Sequence, residues 1–260
     1  MRALLLAAGQ GVRLKPFTDQ WPKCLMPISG RPLLEYWLCT LWSNNLRSVL
    51  VNVHHHRAEV ENFIARQRFH NWVRGVYEPK LLGTAGTLSN IDDDLVDQTV
   101  LVAHADNWCH CNFSNFIDFH QNRRPVGTVL TAMTFRSDNP ERCGIVELDD
   151  RGVIQEFHEK KPNPPGNLAN GAVYLLEPEV VEWVKENPSK TDFSTGVVPN
   201  YLGKIATWEN TGIHRDIGQI DSLLAAQTDI PPDLCWLEKD DWQLKFERHP
   251  IHGMLEALYS

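Results

Sequence analysis

Two glycines, an arginine and a lysine fall within one short stretch of this chain. They lie in Ala8-Gly9-Gln10-Gly11-Val12-Arg13-Leu14 and in Trp21-Pro22-Lys23. Glycine lets backbone N–H groups approach oxygen anions, and cations neutralise them. The apolar run Arg2–Ala7 ahead of the loop reads as a buried strand. A strand that breaks into such a loop is a place to hold a nucleoside triphosphate. The loop alone is weak evidence. It lacks the third glycine of a dinucleotide fingerprint, and no Gly-Lys-Ser/Thr of a P-loop follows. A dinucleotide-dependent oxidoreductase would also leave Lys23 unexplained.

The elements that must position these residues alternate. Helical spacing is predicted for Pro32–Trp42, Ala58–Phe69, Thr87–Ile91 and Ser114–His120. Strands are predicted for Ser48–Val53, Val73–Glu78 and Thr99–Ala103. Such alternation predicts an α/β fold with a mixed, mostly parallel sheet flanked by helices. Ligands of such sheets lie beyond the carboxyl ends of the strands, which puts the loops after Ala7, Val53, Glu78 and Ala103 on one rim. Further strands are expected over Val126–Phe135, Gly144–Leu148, Val153–His158, Ala172–Leu176 and Ile205–Trp208. Further helices are expected over Val180–Lys185, Val197–Leu202 and Ile220–Gln227. Residues 1–228 form the expected main domain. Residues 229–260, with Pro231-Pro232 and poor periodicity, read as an extension open to a role as sheet-edge cover or subunit contact. A homo-oligomer therefore stays open.

Several later motifs accompany the loop: Leu82-Gly83-Thr84-Ala85-Gly86, Asp106 after a strand, Phe157-His158-Glu159-Lys160, Asn170-Gly171-Ala172 and Asp216-Ile217-Gly218. With Leu6–Thr18, Pro22-Lys23 and Pro27, in this order, they resemble the sugar-1-phosphate nucleotidyltransferases, of the mannose- or manno-heptose-1-phosphate guanylyltransferase kind. The resemblance covers roughly residues 2 to 227. It implies the Rossmann-like fold of nucleotide-diphospho-sugar transferases. It also implies a reaction in which a sugar-phosphate oxygen attacks the α-phosphorus of a nucleoside triphosphate and pyrophosphate leaves. Both reactants are anions, so positioning and charge neutralisation are the enzyme's work.

The resemblance assigns roles. Arg13 holds the departing phosphates and Lys23 the α-phosphate region. Ala8, Gly9, Gly11, Glu78, Gly83, Thr84 and Ala85 contact the nucleotide. Asp106 and Asp216 share a Mg2+ ion, although either aspartate alone would be an ordinary turn residue. Lys160 clamps the sugar phosphate, Glu159 and Asn170 take sugar hydroxyls, and Gly144 and Gly171 let the backbone approach the sugar. A carboxylate at Glu78 suits the adjacent N1–H and N2–H donors of guanine, which favours GTP, with mannose or a manno-heptose as the sugar. UTP, dTTP or CTP, a non-sugar acceptor such as phosphocholine, and a non-catalytic nucleotide- or sugar-phosphate-binding protein are the alternatives. The chain departs from the family pattern at Val12, where Thr is common. It also has His104-Ala105-Asp106-Asn107 where many relatives have Gly-Asp, and an added Lys161 before Pro162.

Composition fits this reading. A net charge of −8 argues against a nucleic-acid partner. Neither a secretory leader nor a membrane span is expected. The six cysteines are then expected to be reduced thiols of a cytoplasmic protein. Cys109-His110-Cys111 is too close-spaced for common zinc sites. His54-His55-His56 reads as structural or as a helix entry, since consecutive residues rarely point at one ion.

Overall fold

The computed structural model describes residues 1–91 and 97–258. The last two residues of the expected extension lie outside them. The chain begins with β1 (Arg2–Leu6), followed by α1 (Phe17–Gln20), a hairpin of β2 (Pro27–Ile28) and β3 (Arg31–Pro32), and α2 (Leu33–Ser43). Next come β4 (Val49–Val53), α3 (Arg57–Ile64), β5 (Val73–Tyr77), α4 (Thr84–Ser89), β6 (Val100–His104), β7 (Asn107–His110) and α5 (Phe113–Asp118). The remainder is β8 (Leu130–Arg136), β9 (Gly144–Leu148), β10 (Ile154–Glu159), β11 (Leu168–Leu176), α6 (Pro178–Glu186), β12 (Ile205–Glu209), β13 (Ile213–Asp216), α7 (Ile220–Thr228), α8 (Asp241–Phe246) and α9 (Pro250–Glu256). The fold is the expected α/β class, with a central sheet flanked by helices.

Two compact units share the chain. The first comprises Met1–Leu4, Leu82–Ala103 and Cys111–His214. In it β11 runs antiparallel to β6, β8 and β9, β10 runs antiparallel to β9, and β12 runs parallel to β8. Val100 to Ala103 are wholly buried, as are Val173, Leu175 and Leu176. This explains their near-continuous apolar sequence: both faces of these strands are covered. Strand β11 starts at Leu168, earlier than its apolar run suggests. Its register shifts between Asn170 and Tyr174, with Ala172 at a φ of 52°. A bulge hides the strand period from the sequence.

The second unit comprises Leu5–Leu81, His104–His110 and Arg215–Ser260. Here β4 pairs in parallel with β5, from Val49 opposite Val73 to Val53 opposite Tyr77. Most side chains of α2 are buried, Glu35 included. Arg66 and Arg68 each place Nη1 on the Glu35 carboxylate, at 2.8 and 3.2 Å. A buried carboxylate needs such partners. They also explain why α3 ends at Ile64 rather than running to Phe69: the chain must turn to bring both arginines onto Glu35. Arg66 Nε continues to Asp240, at 2.8 Å.

Residues 229–258 pack within this second unit. Trp236 sits against Trp42, Phe69 and Trp72, with ring centroids 5.4 to 6.2 Å apart. Gln243 is fully buried, and its Nε2 donates to Gly30 O. Cys235 is disulfide-bonded to Cys39, which corrects the expectation that all six thiols are reduced. The two lie 196 residues apart, and only folding brings their Cα atoms to 5.6 Å, a normal bridging distance. Cys24, Cys109, Cys111 and Cys143 are not disulfide-bonded. No helix among the described residues is long and apolar enough to cross a membrane.

Other differences are local. The helix expected over Val197–Leu202 is a π turn, Phe193–Val197, followed by a 3-10 turn, Val198–Tyr201. Pro199 lacks the N–H that a continuing α-helix needs. Strand β8 begins at Leu130 rather than Val126, which is exposed beside Gly127 at a φ of 89°.

His120 makes the stability of the first unit pH-dependent. Its ring is buried between Thr131 Oγ1 and Glu177 Oε1, each 2.8 Å away. Burial and the nearby Arg124 guanidinium push its pKa down to about 4, against the opposing pull of Glu177. The unfolded chain takes up this proton near pH 6.5, so unfolding binds a proton between the two values. Stability from this group is therefore full above about pH 6.5 and is lost as pH falls towards 4, by about 3 kcal/mol. In thermal melts at pH 7 and pH 5, His120→Gln should shrink the difference in Tm. An unchanged difference would rule His120 out as its source.

Candidate active site

Strand β1 delivers the glycine loop, and β4 holds it from below. The N–H groups of Ala7 and Ala8 both donate to Asn52 Oδ1, at 2.6 and 3.1 Å. Asn52 Nδ2 donates in turn to Glu78 Oε1 at 3.0 Å. Glu78 is only 2% exposed. It thus lies beneath the loop, engaged with Asn52, rather than standing as a surface charge. Asn52 is absent from the sequence-derived site. Its signal is a lone amide in the fully buried strand Val49–Val53, where a polar side chain needs a partner.

Beyond Ala8, Gly9 is exposed with open space around its Cα, so the backbone there can be approached. Gly11 is constrained differently. Its φ is 61°, and a Cβ would come within 2.7 Å of Thr18 Cγ2 and 3.3 Å of Lys23 Cβ. Only glycine suits both demands. Thr18 Oγ1 donates to Gly11 O at 2.9 Å. The Nε2 atoms of His55 and His56 both donate to Thr18 O, at 3.0 and 2.9 Å. His54 Nδ1 donates to Glu78 O. The three histidines therefore brace the loop and the end of β5.

Lys23 is the centre of one charged cluster in the second unit. Its side chain is 6% exposed, and Nζ lies 2.7 Å from Asp106 Oδ2 and 2.7 Å from Asp216 Oδ1. Arg13 Nη2 reaches Asp216 Oδ2 at 3.1 Å. Burial opposes the charge on Lys23, but the two carboxylates outweigh it and its pKa lies above the ordinary lysine value. Burial likewise opposes ionisation of Asp216, yet Lys23 and Arg13 hold its pKa below the usual carboxylate value. Cys24, next in sequence, has its thiol pushed up to about 12 by burial and by Asp106, so it is no thiolate nucleophile.

Gly218 makes this cluster possible. A Cβ there would lie 2.8 Å from Arg13 Nη2, 2.8 Å from Asp216 Oδ1 and 3.0 Å from Lys23 Nζ. Its N–H also donates to Asp216 Oδ1 at 2.9 Å. The sequence placed Gly218 in a motif without giving it a role.

The first unit gathers the expected sugar-phosphate residues. Gly144 pairs with Glu159 across β9 and β10, and Ile145 with Ala169 across β9 and β11. The antiparallel register then sets Asn170 beside Gly144, so Glu159, Gly144 and Asn170 form one row across three strands. A Cβ at Gly144 would meet Phe157 Cζ at 2.4 Å and Glu159 Oε2 at 2.8 Å. Lys160 Nζ lies 3.1 Å from Glu159 Oε1 and is largely exposed. Lys161 instead approaches His158 Nδ1, at 3.3 Å. Asn170 donates to the Tyr174 hydroxyl, and its Oδ1 accepts from Ala172 N, closing the bulge. At Gly171 a Cβ would sit 3.1 Å from both Met133 O and His214 Cε1.

The Gly83–Ala85 motif lies elsewhere in this unit, against residues 191–193. Gly83 has a φ of 83°, and a Cβ there would fall 2.4 Å from Thr191 O. The N–H groups of Ala85 and Gly86 both donate to that same oxygen, at 2.9 and 3.1 Å. Thr84 Oγ1 accepts from Phe193 N and donates to Asp192 Oδ2. The Ala85 amide is therefore already engaged within the protein. Cys109, His110 and Cys111 are not among the groups of side chains that converge as metal ligands in the described residues.

Asp106 and Asp216 offer hard oxygen donors, the type that Mg2+ prefers. Each places one oxygen on the same ammonium group. The pair can therefore share one cation, and the donor set fits a divalent ion.

Residues 2–232 match the family model described as nucleotidyl transferase. A UTP–glucose-1-phosphate uridylyltransferase of Synechocystis is 31% identical over 211 residues, covering 75% of this chain and 53% of the relative. The mannose-1-phosphate guanylyltransferase catalytic subunit beta of Drosophila pseudoobscura pseudoobscura is 28% identical over 227 residues, covering 86% of this chain and 60% of its own length. The chain thus spans little more than half the length of these two relatives. A Bacillus anthracis crystal structure, of a protein provisionally named glucose-1-phosphate thymidylyltransferase, superposes with a TM-score of 0.80 at 22% identity, covering 94% of this chain and 99% of that one. At that identity the likeness establishes the fold. The match over residues 2–232 establishes more: the chain belongs to the nucleotidyl transferase family.

Proposed function

We propose that the protein joins a nucleoside triphosphate to a sugar 1-phosphate and releases pyrophosphate. The observation that carries this reading is Lys23, buried between Asp106 and Asp216 with Arg13 on the same aspartate. A sugar-phosphate oxygen forms the new bond to the α-phosphorus. The bond to the bridging oxygen breaks, and its electron pair leaves with pyrophosphate. Reactants and leaving group are all anionic, so fixed cations aimed at the developing charge are the main need.

Each residue then has a task. The exposed backbone at Gly9 and the solvent-facing Arg13 receive the β- and γ-phosphates. Lys23, fixed by its two carboxylates, meets the α-phosphate without reorganising. Asp106 and Asp216 would hold Mg2+, which when bound screens the phosphate charges from one another. In the first unit, Glu159 and Asn170 orient sugar hydroxyls, and Lys160 holds the sugar phosphate. Thr84 and the glycine beside it shape the approach of the nucleotide.

For the base we propose GTP, with a manno-configured sugar. The guanylyltransferase relative supports this reading, and a carboxylate at Glu78 is compatible with it. Since Glu78 Oε1 accepts from Asn52, its influence on the base passes through Asn52. The uridylyltransferase relative, at 31% identity, favours UTP with glucose 1-phosphate as the second reading. We propose a cytoplasmic setting, against which the Cys39–Cys235 bond is the contrary observation. Thiol counts on protein alkylated before lysis decide between the two: a Cys39–Cys235 bond already formed in the cell would sink the cytoplasmic proposal.

Pyrophosphate release from GTP, UTP, dTTP and CTP, each against several sugar 1-phosphates with Mg2+, tests the reaction, base and sugar together. We expect GTP with mannose 1-phosphate or a manno-heptose 1-phosphate to lead. Release from no pair would favour a binding protein without catalysis. Lys23→Met should lower kcat about 100-fold or more, with folding monitored by circular dichroism. A variant within twofold of wild type would exclude Lys23 from the chemistry. Glu78→Gln should lower kcat/KM for GTP relative to UTP, and an unchanged ranking would place recognition of the base elsewhere.

A further inference from the structure

Asp229, the first residue beyond the expected main domain, holds both segments that carry the paired carboxylates. Its Oδ2 accepts from Arg215 Nε at 2.7 Å, and its Oδ1 from Arg215 Nη2 at 3.0 Å. This is the two-pronged arginine–carboxylate geometry, strong and directional. The same Oδ2 also accepts from Trp108 Nε1 at 3.0 Å. The Asp229 side chain is only 12% exposed, whereas Arg215 is 41% exposed, so the pair is enclosed on its carboxylate side.

The partners are placed to matter. Arg215 immediately precedes Asp216, and Trp108 lies two residues after Asp106. Trp108 is wholly buried, with its ring edge-on to Tyr36 at 4.8 Å, so it is a fixed anchor. Asp216 is less enclosed than Trp108. Its side chain is half exposed, at the end of a strand with no buried residue. Successive strand side chains point to opposite faces. Arg215 can therefore tether this strand from the face opposite Asp216, leaving the carboxylate free for Lys23 and a cation.

We propose that Asp229 is a positioning residue that sets the spacing of Asp106 and Asp216, and with it the affinity for the divalent cation they share. The proposal rests on the cation-binding reading of that pair. It gives the start of the extension a direct part in the site: one carboxylate ties Arg215 and Trp108 together, and their neighbours are the two ligands. Partners one layer behind metal ligands commonly change metal affinity or activity about 10- to 100-fold when removed.

The test measures Mn2+ binding by electron paramagnetic resonance, with a non-hydrolysable GTP analogue present, alongside steady-state kinetics. Asp229→Asn keeps the size but loses the charge and the two-pronged pairing. It should weaken Mn2+ binding about 10-fold and raise the Mg2+ needed for half-maximal rate to match, while KM for the sugar phosphate stays within about twofold. Trp108→Phe removes one donor and should weaken Mn2+ binding in the same direction, which keeps the test open if Asp229→Asn fails to fold. Asp240→Asn is the control, because Asp240 anchors the extension to Arg66 and Arg68 instead. It should lower Tm and leave Mn2+ affinity unchanged. Unchanged Mn2+ affinity in folded Asp229→Asn, or an equal loss in Asp240→Asn, would overturn the proposal while leaving the reaction intact. Wild-type protein that binds no Mn2+ and releases no pyrophosphate would overturn the underlying reading as well.

Discussion

A lysine ammonium held between two carboxylates is the constraint around which the candidate active site of the second unit is arranged. Taking Lys23 out of water disfavours its charge, and only close partners make that acceptable. Asp106 and Asp216 supply them, and Arg13 balances the second negative charge. Lys23 is the buried member, so removing either carboxylate leaves a buried ammonium less well compensated. It also dictates its neighbours. Gly218 must lack a side chain because three charged atoms crowd its Cα, and Gly11 must lack one because Thr18 and Lys23 do.

The glycine loop is held by atoms that never need to touch a substrate. Asn52 ties down the amides of Ala7 and Ala8, and Thr18 ties down Gly11 while two histidines tie down Thr18. These bonds fix the backbone before any anion arrives. A preorganised donor site loses less on binding than one that must first be ordered. In the first unit the same economy of geometry appears as close strand contacts. Gly144 exists because Phe157 and Glu159 occupy the space a side chain would need.

The extension is stitched into the second unit by unlike interactions: an aromatic cluster at Trp236, ion pairs at Asp240, a disulfide at Cys235 and the Asp229 clamp. None has a local period, which is why the segment from residue 230 reads as featureless in sequence. Its apolar residues serve contacts with α2 and the turns after α3, and those partners are far away along the chain.

The sequence by itself determined the class of fold, the order of the motifs and the identity of the charged residues that form the Lys23 cluster. Those properties are local: apolar periodicity sets strands and helices, and glycines beside cations mark anion sites. Tertiary structure decided the rest. It brought Asp106 and Asp216 onto one ammonium across more than a hundred residues, joined Cys39 to Cys235, placed Glu78 beneath the loop against Asn52, and turned the Ala85 amide onto Thr191. Each is a pairing between segments distant in the chain, and a linear pattern carries no record of which distant groups will meet. Burial and hydrogen-bond completion select those partners, and both exist only once the sheet and its helices have closed around them.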